Sequence, residues 1–238
     1  MNNTKNNMIY QFGKKKSGII ICIVYGVILL FFQIDISDKL LLAMASDLFW
    51  NKYLDLFFYS SFFVVLFCIY KKCIWESMKD FIKNRSTYIK ACIICFFIII
   101  FLMVTLAIIL SVFISAESSN EQNINISIQN NKVITSIVAC LIGPFVEEII
   151  FRGILYETVK GDGKNRVKRY MSICIVSLIF TLYHCDLSVA MKDNLVEVVT
   201  NLPLFVMAVT LNCLYEKTNN ILSPLLVHIG INIVSLYG

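Results

Sequence analysis

Ala91-Cys92-Ile93-Ile94-Cys95-Phe96-Phe97-Ile98-Ile99-Ile100-Phe101-Leu102-Met103-Val104-Thr105-Leu106-Ala107-Ile108-Ile109-Leu110-Ser111-Val112-Phe113-Ile114-Ser115-Ala116 runs for 26 residues without a charge. A helix that crosses a bilayer needs ~20 apolar residues. This stretch is long enough to span and too apolar to face water. Working outward, similar runs lie at Ser17–Ile34 and Leu54–Tyr70 on one side. On the other side they lie at Val133–Tyr156, Tyr170–Ala190, Val198–Tyr215 and Ile221–Tyr237. Leu40–Trp50 is apolar but short and carries Asp47, so it reads as an interfacial helix or an extension of the next span. Hydrophobic residues are 58% of the 238 and charged residues only 16%. Soluble domains hold roughly 45–50% and 25%. A soluble enzyme and a disordered chain are both excluded. The expected fold is all-α, a polytopic membrane bundle of about seven helices.

The charges fix the expected orientation. With the N-terminus in the cytoplasm, 16 Lys and Arg fall in cytoplasmic segments and 4 in outer ones, while Arg152 lies within a span. Positive residues gather on the cytoplasmic side of membrane proteins, so the expectation is N-terminus in and C-terminus out. The net charge of +5 is therefore topological, and no nucleic-acid partner is expected. The outer segment Glu117–Lys132 is rich in Ser and Asn and reads as a polar loop. The nine cysteines lie mostly inside apolar runs and read as small apolar side chains. Cys92 and Cys95 have no matching second pair, so the zinc signal is weak.

The chain divides by content. Residues 1–132 show only packing or lipid-facing helices of unassigned role. Residues 133–238 hold the polar groups that a membrane span does not need. A charged side chain at a helix centre costs ~2.5–3.5 kcal/mol. The fourth span nevertheless contains Gly143-Pro144-Phe145-Val146-Glu147-Glu148-Ile149-Ile150-Phe151-Arg152-Gly153. Glu148 and Arg152 are four apart with the acid first, the favourable order for an ion pair. Glu147 lies about 100° around the helix from Glu148 and is left to face a cavity. Both histidines of the chain, His184 and His228, fall in predicted spans, and His228 shares a helix face with Asn232. Counted from assumed helix ends, the four groups meet well inside the bilayer, nearer its cytoplasmic half.

These residue types support hydrolysis. A carboxylate and an imidazole can share and activate a water. A second imidazole and a carboxamide can donate hydrogen bonds to a developing oxyanion. No Ser, Thr or Cys stands out as an activated nucleophile. Cys185 follows His184 directly, and adjacent residues on a helix point apart.

Three motifs carry a resemblance. Glu147-Glu148-x-x-x-Arg152, Phe180-x-x-x-His184 and His228-x-x-x-Asn232 occur in that order. They resemble the motifs of the CAAX protease and bacteriocin-processing family (the Abi family), which includes the type II CAAX prenyl proteases. Tyr215-x-x-Thr218, Leu222 and Pro224 resemble the lead-in to the third motif. The small glycines common in the family ahead of that motif are replaced here by Ala208-Val209-Thr210-Leu211-Asn212-Cys213. The resemblance covers residues 133–238. It implies an intramembrane glutamic endopeptidase without a metal or cofactor. Carried onto this chain, Glu147 and His184 activate water, and His228 and Asn232 form the oxyanion hole. Glu148 and Arg152 support the site. The partners implied are a peptide or membrane-protein substrate and the lipid bilayer. Two readings stay open beside it: a zinc hydrolase with Glu147, His184 and His228 as ligands, and a non-enzymatic bacteriocin-immunity or binding protein. The Ile, Lys and Asn content is that of an AT-rich bacterial genome, which places the expected location in a bacterial cell membrane.

Overall fold

A computed structural model describes residues 16–33, 48–115, 117–186 and 196–238. Among these residues every regular element is helical: α1 Lys16–Gln33, α2 Leu48–Lys83, α3 Arg85–Ser111, α4 Ser119–Ile137, α5 Gly143–Glu147, α6 Glu157–Lys160, α7 Arg166–His184, α8 Val196–Thr200, α9 Leu202–Thr218 and α10 Leu222–Tyr237. Two π-helical segments, Val138–Ile142 and Glu148–Tyr156, sit on either side of α5. The protein is an all-α, multi-pass membrane bundle. Leu56–Lys83, Arg85–Ser111 and the continuous helical stretch Ser119–Lys160 are long and apolar enough to cross a bilayer. Gly18–Ile28 and Leu222–Tyr237 are shorter apolar helices. Most of the expected segment Leu40–Trp50, and the end of the fifth span beyond Asp186, lie outside the described residues.

α3 shows why the membrane is needed. It buries only Tyr88, Cys92, Cys95 and Ile99. Phe97, Phe101 and Ile108 stay 65%, 69% and 62% exposed in the bundle, a display that lipid, not water, can solvate. Its inner face packs against α9 and α10. One apolar core joins both parts of the chain, with Tyr25, Leu66 and Ile99 meeting Phe151, Phe180 and Leu211.

Two local features differ from the sequence expectation. The stretch Glu117–Lys132, read as a loop, is mostly helix α4. Ser118 caps it by accepting from the Glu121 amide at 3.3 Å, and Glu121 lies in the first turn, where an acid favours the helix dipole. Hydropathy does not reveal this helix because it is polar nearly all round. At Asn131 (φ −161°, ψ 88°) the helix kinks. Asn131 Oδ1 then accepts from the Ile134 amide at 3.2 Å and restarts it.

The second feature is the register around Pro144. The Gly143 amide donates to the Val138 carbonyl, five residues back. Continued by one residue, that register would give the Ala139 carbonyl to Pro144, which has no N–H. The Ala139 carbonyl is thereby left for a partner from another helix. Such π-helical turns are rare and occur often at functional sites.

The bundle has two unlike ends. At one end the turns are tied by a polar network. Asn220 Nδ2 donates to the Ser77 carbonyl at 2.9 Å and to Asp80 Oδ2 at 3.1 Å. Glu216 accepts from Tyr156 at 2.7 Å and Arg169 at 3.1 Å. At the other end lie the start of α4, the end of α7 and the end of α10. Buried Glu197 joins two of these. Its Oε2 accepts from the Ser119 amide at 3.0 Å and the Ser119 hydroxyl at 3.1 Å. Its Oε1 accepts from the Asp186 amide and from Asn201 Nδ2, both at 3.1 Å.

Candidate active site

The motif helix inserts its acids side by side. Glu148 and Arg152 are fully buried, with Arg152 Nη1 donating to Glu148 Oε1 at 2.9 Å. Arg152 Nη2 donates to the Ala208 carbonyl at 3.4 Å, so the stretch that departs from the family's glycines still receives the arginine. The guanidinium carbon lies 4.8 Å from the centre of the Phe180 ring. These contacts pair a cation that the bilayer alone cannot, while Arg152 Nε and Glu148 Oε2 have no hydrogen-bond partner among the described residues.

His228 reaches the same acid from α10. Its Nδ1 lies 2.8 Å from Glu148 Oε1. The carboxylate, already accepting from Arg152, accepts again here, so Nδ1 carries a proton. Its Nε2 faces Glu147 Oε2 at 3.7 Å. Glu148 is thus committed to Arg152 and His228, and buried Glu147 lines the cavity.

His184 closes α7. Its Nδ1 lies 2.8 Å from the Phe180 carbonyl. A carbonyl only accepts, so this nitrogen also carries the proton and Nε2 presents a lone pair. The Phe180 ring stands 4.5 Å from the His184 ring and 6.0 Å from the His228 ring, centre to centre. The phenylalanine of the second motif therefore spaces both imidazoles and covers Arg152. Cys185 Sγ is turned away and donates to the Thr181 carbonyl at 3.3 Å.

Asn232 donates from Nδ2 to the Ala139 carbonyl at 2.7 Å. This is the carbonyl left over beside Pro144, so the proline just ahead of the first motif and the asparagine of the third are matched through the backbone. The other N–H of the carboxamide remains for the cavity, which Asn232 lines.

Glu147, His184, His228 and Asn232 all line one cavity of about 430 Å³. Glu148 and Arg152 do not line it; they lie behind it. The cavity leads to exposed Asn123, Asn130 and Ser235. It opens at the end of the bundle opposite the polar network of Glu216, and α4, read from sequence as a loop, forms part of its wall.

Three tyrosines were not singled out by sequence. The Tyr183 hydroxyl bonds to the Tyr25 hydroxyl at 2.9 Å and the Tyr59 hydroxyl at 2.6 Å. Tyr59 and Tyr183 line the cavity. A Cβ added at Gly143 would meet the Tyr59 ring at 3.7 Å and Glu147 Oε1 at 3.8 Å, so both side chains lie over Gly143. The tyrosines bring α1 and α2 to the site. Asn212, donating to Ser177 Oγ at 2.9 Å, ties α9 to α7. A buried polar residue in a predicted span was the available signal for Asn212. For the tyrosines no sequence spacing existed to find them. Among the described residues no group of three His, Cys, Asp or Glu is disposed to hold a metal ion.

The fold and the site together define a polytopic membrane protein with an ionisable centre facing a cavity. Residues 129–234 match the family model described as type II CAAX prenyl endopeptidase Rce1-like. Over this segment, less than half of the chain, the protein is similar to that family, as its three motifs indicated. The family implies a membrane endopeptidase of the CAAX type acting on a peptide substrate. Comparison with curated proteins and with solved structures gave no match.

Proposed function

We propose that the chain is an intramembrane glutamic endopeptidase in which Glu147 and His184 activate water. One observation carries this reading: of two adjacent glutamates, Glu148 is spent on Arg152 and His228, and Glu147 lines the same cavity as His184. Water held between the Glu147 carboxylate and His184 Nε2 attacks the scissile carbonyl carbon, and Glu147 takes its proton. The carbonyl oxygen becomes an oxyanion, which accepts from His228 Nε2–H and the free Asn232 N–H. When the C–N bond breaks, the proton passes from Glu147 to the leaving amine.

Donation from both ring nitrogens is the imidazolium form of His228, with Nδ1–H on Glu148 and Nε2–H toward the oxyanion. Glu148 and Arg152 are positioning residues: Glu148 holds His228, and Arg152 holds Glu148. The reaction needs no metal in this reading, and the location is the cell membrane, with a bacterial source.

The test compares peptide termini in cells expressing wild type or Glu147→Gln at equal abundance. Products present only with wild type are expected and identify the substrate. Equal termini, with protection or another phenotype retained by Glu147→Gln, would move the assignment to a binding or immunity role. Loss of cleavage in a chelator, restored by zinc, would move it to a zinc hydrolase.

A further inference from the structure

The cavity mouth and the basic end of the bundle lie on opposite sides. Lys83, Arg85, Lys164, Arg166, Lys168 and Lys217 are exposed at one end. The Asn220 and Glu216 networks hold their turns together there. The other end carries Glu117, Glu121, Asp186 and Glu197 beside Lys132. Positive residues flanking spans mark the cytoplasmic face. The cavity runs from buried Glu147 and His228 to exposed Asn123, Asn130 and Ser235, at the acidic end. Toward the basic end, Ile154, Tyr156 and Tyr215 fill the bundle, each no more than 1% exposed.

The wall at the mouth has a definite chemistry. Asn120, Asn123, Ser127, Asn130 and Asn131 of α4 all line the cavity. Steps of three and four residues place them on one helix face. Carboxamides and hydroxyls both donate and accept, as an extended peptide main chain does. Buried Glu197 fastens the start of this wall and the turn after His184 with one carboxylate.

We infer that the site takes its peptide from the non-cytoplasmic side of the membrane. The substrate is a peptide, or a segment of an exported protein, already across the bilayer. Its main chain is held along the Asn and Ser face of α4 while the scissile bond reaches Glu147. The inference rests on the protease reading above and adds the side of entry and the class of substrate.

The test uses the full chain in sealed, right-side-out membrane vesicles. An epitope after Gly238 and, separately, one at Gly163 in the basic turn are probed with antibody before and after permeabilisation. The Gly238 epitope is expected to be reached in sealed vesicles and the Gly163 epitope only after permeabilisation. The reverse pattern overturns the inference. In the same vesicles, a membrane-impermeant peptide cleaved by the detergent-solubilised protein is added outside. It is expected to be cut by wild type and left intact by Glu147→Gln. Cleavage in detergent but not in sealed vesicles overturns the inference and leaves the protease reading standing. If the detergent-solubilised protein cuts no peptide, the protease reading falls and the inference with it. Asn120→Ala with Asn123→Ala is expected to raise KM by a few-fold to about tenfold at nearly constant kcat, the size of lost neutral hydrogen bonds. An unchanged KM overturns the role of the wall.

Discussion

α3 and the helix carrying Glu147 lie in the same bundle and solve opposite problems. Beyond Lys90, α3 is apolar, buries a single narrow face and leaves the rest to lipid. The stretch Gly143–Tyr156 is almost wholly enclosed by protein and carries two acids and an arginine. For α3 the bilayer is the solvent. For Glu147, Glu148 and Arg152 the solvent is the rest of the chain, through Ala208, Phe180, His228 and the cavity. The difference teaches where substitutions are felt: charge and hydrogen bonding decide in one region, and apolarity alone suffices in the other.

The sharpest way to break that comparison is at the buried ion pair. Arg152→Met leaves Glu148 charged without its arginine, and removal of one partner of a buried pair costs about 3–5 kcal/mol. A large fall in the unfolding midpoint in detergent is expected. Adding Glu148→Gln to Arg152→Met removes the stranded charge and is expected to recover part of the loss. Equal instability of the single and double variants would contradict the pairing.

Asn232→Ala comes next. It removes a donor from the proposed oxyanion site and the partner of the Ala139 carbonyl. Loss of one oxyanion donor lowers kcat by about 10²–10³-fold. Steady-state rates on a peptide substrate measure it, and a kcat within twofold of wild type would remove Asn232 from the chemistry.

A smaller effect is expected where the two regions touch. Tyr183→Phe deletes the hydroxyl shared by Tyr25 and Tyr59. Interhelical hydrogen bonds in membranes average about 0.6 kcal/mol. A modest drop in thermal midpoint is expected, with a change in rate because Tyr59 and Tyr183 line the cavity with Glu147. At the bottom of the scale, Ile108→Leu on the exposed face of α3 is expected to change stability by less than about 0.5 kcal/mol.

The same contrast explains what the sequence disclosed. Apolar runs such as Ala91–Ala116 announce themselves because lipid demands length and hydropathy, and three of the described helices meet that demand outright. The Glu148–Arg152 pair was legible from a spacing of four, and the structure brings the two together at 2.9 Å. The polar helix α4 was not legible, because its stability comes from the Ser118 cap and the Glu197 anchor, not from an apolar face. Glu197 itself lies close in sequence to none of the three motifs, and its partners Ser119 and Asp186 are brought to it only by the fold. The bond from Asn232 to the Ala139 carbonyl could have been anticipated from Pro144 only by knowing that the helix runs in the wider register there. Hydropathy carries no signal for that.

The most direct measurement is the cleavage rate of purified protein in nanodiscs for wild type, Glu147→Gln and Glu148→Gln, each with its thermal midpoint. Glu147→Gln is expected to lose about 10²–10⁴ in rate with a midpoint close to wild type, because that residue lines the cavity. Glu148→Gln is expected to lose stability as well, because that carboxylate holds Arg152 and His228. A Glu147→Gln protein that cleaves at the wild-type rate would contradict the central claim.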